Sequence, residues 1–386
     1  MKEVIILSHG IFSKRDYNRF GIDILKRNFF VKILDCTAWI NKNYWKLNLQ
    51  NIYRNKEYIS IGSKNDFLKF ISQTNSPIVI DRLPVNKETN WMRKLLRKRN
   101  SLFVDLYLNV IPLPKKNIRQ TVLKFFKIII NPRKIINKFI DIFQKKKCIS
   151  IKSNSNISLV GGLASSNKLK NKEVINAHNM DYDAYLNIKD KAKNNSSNYA
   201  VFLDENMVNH AEYSLLNLKP PATEEHYYPA LSKFLKNFES ATGLKVKIAF
   251  HPSYEVENKN VPSLLKDFEY FFGKTAEIIM NSKIILAHQS TSLSYAVLFK
   301  KPITFLTSDE LVNSWLGPRI ENFSQVLNSQ LINIDNFFYQ GSDIQSFLKI
   351  NEKKYKSYLD QYIKIPDSPD LPIWEIVTDY IKRKQL

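Results

Sequence analysis

The chain has 386 residues, 44% of them hydrophobic, with a formal net charge of +22. That is enough for two domains with sizeable cores, and no run of about 18 apolar residues marks a membrane-spanning helix. Two cysteines far apart in sequence, Cys36 and Cys148, exclude a disulfide framework and a cysteine-rich zinc site.

The start, Met1 to Leu7, carries an acid and is too short for a signal peptide, so it reads as a first strand of a cytoplasmic protein. Ser8-His9-Gly10 follows as a loop, Arg19 to Arg27 as a helix and Phe30 to Asp35 as a second strand. Further strands are expected at 58–61, 78–81 and 102–110, with a helix at 66–72. Ile157 to Gly162 and Val174 to His178 read as the last strands of a first domain. Strands alternating with helices argue βαβ units and a parallel sheet.

Charge is uneven along this half. Residues 91–150 hold 16 Lys and Arg against 2 Asp and Glu, a net +14. Within it, Ile118, Val122, Phe125, Phe126 and Ile129, then Ile135, Ile136, Phe139, Ile140 and Phe143, follow helical spacing around Asn131-Pro132. Two readings stay open: amphipathic helices packed on the first domain, or a basic helix pair lying on a membrane surface. A patch of this sign suits lipid headgroups, a phosphate-bearing glycolipid or nucleic acid.

A polar stretch, 191–198, reads as a linker, which divides the chain into domains 1–190 and 191–386. The βαβ pattern restarts at Tyr199 to Asp204. It continues as helix 228–242, strand 246–250, helix 261–280, strand 284–287, helix 292–299 and strand 302–306, and Trp374 to Lys384 forms a terminal helix.

In open parallel sheets, ligands bind beyond the carboxyl ends of the strands. Those ends carry Asp204-Glu205-Asn206, His251-Pro252-Ser253 and His288-Gln289-Ser290-Thr291-Ser292. Ser290, Thr291 and Ser292 precede a helical run, where hydroxyls and free N–H groups cap the helix or hold a phosphate. His251, followed by Pro252, is the imidazole expected beside them, on the neighbouring strand. His288 contacts ligand or makes a structural hydrogen bond. Asp204 serves as a general base, binds a sugar or ribose hydroxyl, or caps a helix, with Glu205 beside it. Asp181 and Asp183 form a D-x-D pair that could hold a metal with a diphosphate, or face the cleft as rival bases. His9 and Gly10 are expected at the acceptor side of that cleft. No G-x-G-x-x-G, Walker loop, H-E-x-x-H or G-x-S-x-G is present, and Gly161-Gly162 lacks a third glycine.

His251-Pro252 and Ser290-Thr291-Ser292, followed by Ala296 and Lys301-Pro302-Ile303, resemble the donor half of GT-B glycosyltransferases. They are most similar to bacterial enzymes using CMP-activated donors: sialyl-, Kdo and other nonulosonic-acid transferases of surface polysaccharides. Teichoic-acid glycerophosphotransferases share a similar arrangement. The resemblance implies two Rossmann-like parallel-sheet domains facing a cleft, with the CMP phosphate on His251 and the serine loop. It implies a nucleotide-sugar donor, a glycan or lipid-linked acceptor, no metal and no cofactor. Asp204 departs from the sialyltransferase acidic motif, whose base lies in the first domain and is followed by glycine. A peripheral position at the inner membrane face fits the basic segment. The rivals are a CMP-polyol phosphotransferase, a UDP-sugar epimerase and, from another class, a basic nucleic-acid-binding protein; no recognition motif supports the last.

Overall fold

The computed structural model describes residues 1–114, 156–166, 169, 173–191, 198–210, 213, 218–252, 254, 261–337 and 347–385. The basic segment 117–147 and most of the expected linker lie outside them.

Thirteen strands form two sheets among the described residues. The first holds β1 (Glu3–Ser8), β2 (Phe30–Asp35), β3 (Tyr58–Ser60), β4 (Ile78–Asp81), β5 (Leu102–Tyr107), β6 (Ile157–Val160) and β7 (Glu173–Asn176). The second holds β8 (Tyr199–Leu203), β9 (Lys245–Ala249), β10 (Glu269–Phe271), β11 (Ile284–Ala287), β12 (Ile303–Thr307) and β13 (Leu331–Asn333). Their orders are β3-β2-β1-β4-β5-β6-β7 and β10-β9-β8-β11-β12-β13, and all neighbours run parallel. Each sheet therefore starts in its middle, winds one way, then restarts on the other side. That is the Rossmann order, and the two-domain architecture is GT-B-like.

Burial on both faces explains the apolar runs of the central strands. Along β1, Val4 and Ile6 enter one core with Phe12, Phe20 and Trp374, whereas Ile5 and Leu7 enter another with Phe67 and Met92. Side chains alternate across a strand, so one short run feeds two cores.

The chain crosses between the domains twice. After β7, the helix Met180–Ile188 places Tyr182 in the second core. The terminal helix Ile373–Arg383 returns to the first, with Ile373, Trp374, Ile376, Val377 and Ile381 packed there. The expected C-terminal domain 191–386 thus gives up its last helix. The two crossing segments touch: Asn179 N–H donates to the Ile363 carbonyl at 2.6 Å, and Ile365 N–H to the Ala177 carbonyl at 2.9 Å. Gly161 and Gly162 lie against them. A Cβ on Gly161 would sit 2.9 Å from Asn179 N, and one on Gly162 would collide with the Gln361 carbonyl. These glycines serve close backbone approach, not a phosphate loop.

Two helices differ from expectation. Residues 19–27 split into Lys14–Arg19 and Ile22–Lys26. Gly21 adopts φ +50° between them, and a Cβ there would lie 2.6 Å from the Trp374 ring. Residues 261–280 hold a short 3₁₀ turn, the edge strand β10 and the helix Thr275–Asn281. Apolar residues at helical spacing there also satisfy a strand, and Gly273 at φ +68° turns the chain after it.

Trp374 is fully buried, donates its indole N–H to the Arg19 carbonyl at 2.8 Å and packs 5.6 Å from the Phe20 ring. Trp374→Ala is expected to cost about 3–5 kcal/mol. Urea unfolding followed by fluorescence checks this; a loss below 1 kcal/mol would mean that the terminal helix is dispensable to the first core.

Candidate active site

β8 lies between β9 and β11, so the switch point of the second sheet falls at its carboxyl end. The residues following β8 are Asp204 and Glu205, and each holds one flanking loop. Asp204 Oδ2 accepts N–H groups from Asn206 at 3.1 Å and from His251, beyond β9, at 3.2 Å. Glu205 Oε1 accepts the Gln289 N–H, beyond β11, at 2.6 Å. Asn206 takes a left-handed turn at φ +49°, and its side chain accepts the Asn209 N–H. His251 and the serine loop are thus two strands apart, not on neighbouring strands, and the acid pair bridges the gap.

These groups line a cleft of about 360 Å³. Its wall includes Asp204, Glu205, His251, Pro252 and Ser290 to Ser292. Both acids are pushed towards the neutral form. Burial raises the Asp204 carboxyl to about 6 against its backbone hydrogen bonds, and one of its oxygens, Oδ1, is buried without a partner. Burial also holds Glu205 well above the usual carboxylate range. Burial, then His210, then Arg15 lower the His251 imidazole to about 4, so it is neutral near pH 7 and donates one N–H.

The serine loop is available to a ligand. Ser292 makes no side-chain cap, Thr291 is exposed, and Ser290 Oγ accepts the Ser292 N–H at 3.2 Å. The following helix, Leu293–Leu298, has only six residues, so the loop's own hydroxyls and N–H groups carry the polarity.

Five expected site residues are placed elsewhere. His288 is fully buried; its Nδ1 bonds the Leu306 carbonyl at 2.6 Å and its Nε2 the Tyr227 hydroxyl at 2.7 Å. It braces the sheet and does not line the cleft. Asp181 is ion-paired with Arg19 at 3.2 Å and accepts from the Tyr295 hydroxyl at 3.3 Å, joining the two domains. Asp183 accepts the Ile373 N–H at 2.9 Å, at the start of the terminal helix. The D-x-D pair therefore points to two different structural partners. The fourth, His9, is exposed outside the cleft wall, and Gly10 beside it accepts the Ser8 hydroxyl at 2.8 Å. Among the described residues no group of three or more His, Cys, Asp or Glu could hold a metal.

The cleft adds residues that carry no motif: Arg15 and Ile111 from the first domain, and His210, Tyr213, Trp315 and Arg319 from the second. Arg15 lies in the connection after β1, which the strand-end rule covers. Nothing in the sequence pairs Arg319 with His251, because the wall between them is tertiary. The His210 and His251 rings lie 4.7 Å apart, His210 and Tyr213 5.6 Å, and Tyr213 and Trp315 6.0 Å. The Arg319 guanidinium lies over Trp315 at 5.1 Å.

No protein-family profile and no curated protein matches the chain in sequence. Solved structures match its fold. The wall teichoic acid polymerase TagF aligns at 12% identity over 99% of this chain and 90% of that one, with a TM-score of 0.54. A TagF variant soaked with CDPG aligns at 11% identity over 100% and 90%, with a TM-score of 0.52. The Methanocaldococcus jannaschii UDP-GlcNAc 2-epimerase, in complex with UDP-GlcNAc and UDP, aligns at 13% identity over 99% and 100%, with a TM-score of 0.50.

Asp204 gives a pH signature. Its raised value means that the fold prefers the protonated form, so its contribution is full below the usual carboxylate value near 3.8 and is lost as pH rises through about 6. The loss is roughly 3 kcal/mol. Asp204→Asn should remove that decline, and the difference between variant and wild-type melting curves from pH 4 to pH 6.5 measures it. Parallel curves would mean that the carboxyl is not perturbed.

Proposed function

We propose that this protein is a glycosyltransferase that moves a sugar from a CMP-activated donor to a glycan or lipid-linked acceptor in surface polysaccharide synthesis. The observation that carries the reading is one cleft at the switch point of a Rossmann-ordered sheet, lined together by His251 and Ser290-Thr291-Ser292. That set offers neutral N–H and O–H donors to a phosphate with little desolvation of competing cations. The fold neighbours include a polymerase of wall teichoic acid and an epimerase complexed with UDP-GlcNAc, which fits a nucleotide-activated substrate in this cleft. The similarity of the His-Pro and serine motifs to CMP-sugar enzymes favours cytidine and a nonulosonic acid.

The acceptor hydroxyl would attack the anomeric carbon as the bond to the CMP phosphate breaks. Its proton would pass to a carboxylate, and the departing phosphate would gain the His251 N–H and the serine-loop donors. Asp204 is better suited to hold His251 in place, because both of its oxygens are buried or engaged with backbone. Glu205 lines the cleft wall, and its value, raised by burial, suits proton uptake, so it is the stronger choice of base. The proposal calls for no resident metal or cofactor. A lipid-linked acceptor at an anionic membrane face would suit the basic segment 91–150; among the described residues no helix is long and apolar enough to cross a membrane.

Thermal shift with CMP, UDP and GDP tests the donor. CMP is expected to stabilise the protein, and His251→Ala to weaken CMP about tenfold to a hundredfold, the worth of a hydrogen bond to a charged group. Stabilisation by UDP alone would replace the CMP donor with a UDP-sugar.

The two acids should separate in a CMP-release assay. Glu205→Gln is expected to keep CMP affinity within about threefold and to lose turnover by at least about a hundredfold, in the range of lost general-base catalysis. Asp204→Asn should instead weaken CMP binding. Full turnover in Glu205→Gln would return the base to Asp204 or to another carboxylate.

A further inference from the structure

Two guanidinium groups enter the same cleft from opposite domains, Arg15 from the helix Lys14–Arg19 and Arg319 from the helix Gly317–Leu327. Among the described residues neither forms a hydrogen bond or an ion pair with a carboxylate. The acids nearest Arg15 are committed elsewhere: Asp16 bonds Ser13 and faces Arg82 at 3.6 Å, and Asp181 pairs with Arg19. Among the described residues the Arg319 guanidinium lies over the Trp315 ring. The two acids on the cleft wall give oxygens to backbone N–H groups, and burial drives both towards the neutral form. Among the described residues neither guanidinium therefore has a carboxylate as a direct partner, a place that an anionic ligand can take.

The two guanidiniums also share the cleft with His251, the proposed phosphate ligand. Arg15 is close enough to His251 for its charge to add, after burial and His210, to the lowering of the imidazole. From His251 the wall runs through His210, Tyr213 and Trp315 to Arg319. A single phosphate is already served by the His251 N–H and the serine loop, which leaves both guanidiniums over.

We infer that Arg15 and Arg319 form a second anion subsite, which selects substrates with an anionic group beyond the nucleotide's α-phosphate. This rests on the nucleotide-donor reading above and deepens it. Guanidinium forks match carboxylate and phosphate alike. The second anion is thus the β-phosphate of a diphosphate donor or the carboxylate of an acidic sugar. Because Arg15 comes from the other domain, the subsite is complete only when the cleft holds both domains on one ligand.

Calorimetric titration of the full chain with CMP, CDP and CMP-N-acetylneuraminate tests the subsite. At least one of the last two is expected to bind tenfold or more tightly than CMP. Arg15→Ala and Arg319→Ala should each reduce that advantage to below threefold and leave CMP itself within threefold. Arg15→Lys and Arg319→Lys keep the charge but lose the fork, and should fall between. An advantage for CDP assigns the subsite to a phosphate, and one for the acidic sugar alone assigns it to a carboxylate. No advantage for either ligand, or one that survives both alanine variants, overturns the subsite. If cytidine nucleotides fail to bind but UDP does, the donor reading falls by itself, and the ratio of UDP to UMP then judges the subsite by the same thresholds. If no nucleotide binds, both readings fall.

Discussion

The cleft depends on two adjacent carboxylates at the end of one strand. Asp204 and Glu205 stand just past β8, between β9 on one side and β11 on the other, so each can serve one flanking loop. Asp204 turns to the loop after β9 and Glu205 to the loop after β11. Both loops owe their position to hydrogen bonds from backbone N–H groups, which also offset the cost of burying the acids. Burial still wins, since both carboxyls sit above their ordinary range. The site is held by groups that would be more comfortable elsewhere, as expected where position matters more than stability.

The domain arrangement sets what can face that clamp. Two helices trade places between the cores, and the crossing segments hydrogen-bond to each other beside Gly161 and Gly162. Asp181 then ties Arg19, on the same helix as Arg15, to Tyr295 on the helix that follows the serine loop. Asn179 adds a bond from its side chain to the Ser294 hydroxyl at 2.9 Å. The first-domain guanidinium and the second-domain serines are therefore referred to one buried carboxylate.

Much of this was legible in the residues. Central parallel strands are apolar on both faces, and β1, β8, β11 and β12 stand out for that reason. The strand-end rule then picks out Asp204, His251 and Ser290 without any motif. It fails for His288, because the rule locates a backbone position and not the direction of a side chain. His288 immediately precedes Gln289, and that one-residue step turns the imidazole onto Tyr227 and Leu306. It fails for Asp181 and Asp183 because helix crossing is a property of the whole chain. Residues 261–280 misread for a local reason: an edge strand of three residues bounded by turns offers too few positions to distinguish a period of 2 from one of 3.6. Arg319 was out of reach altogether, since only the ring wall connects it to His251.

The charge state of the cleft is set by burial. Desolvation penalises every charged form, but its effect depends on the group's ordinary value. An imidazole lowered to about 4 is neutral near pH 7, whereas a carboxyl raised to about 6 is still mostly ionised there. Burial also lowers Arg15, but a guanidinium starts so far above pH 7 that it keeps its proton. The same physical term that neutralises His251 raises both acids towards the range where they can take up a proton and leaves the guanidiniums charged. No count of charged residues along the chain contains that result. It follows from which groups are buried and how far each can be shifted before it changes state.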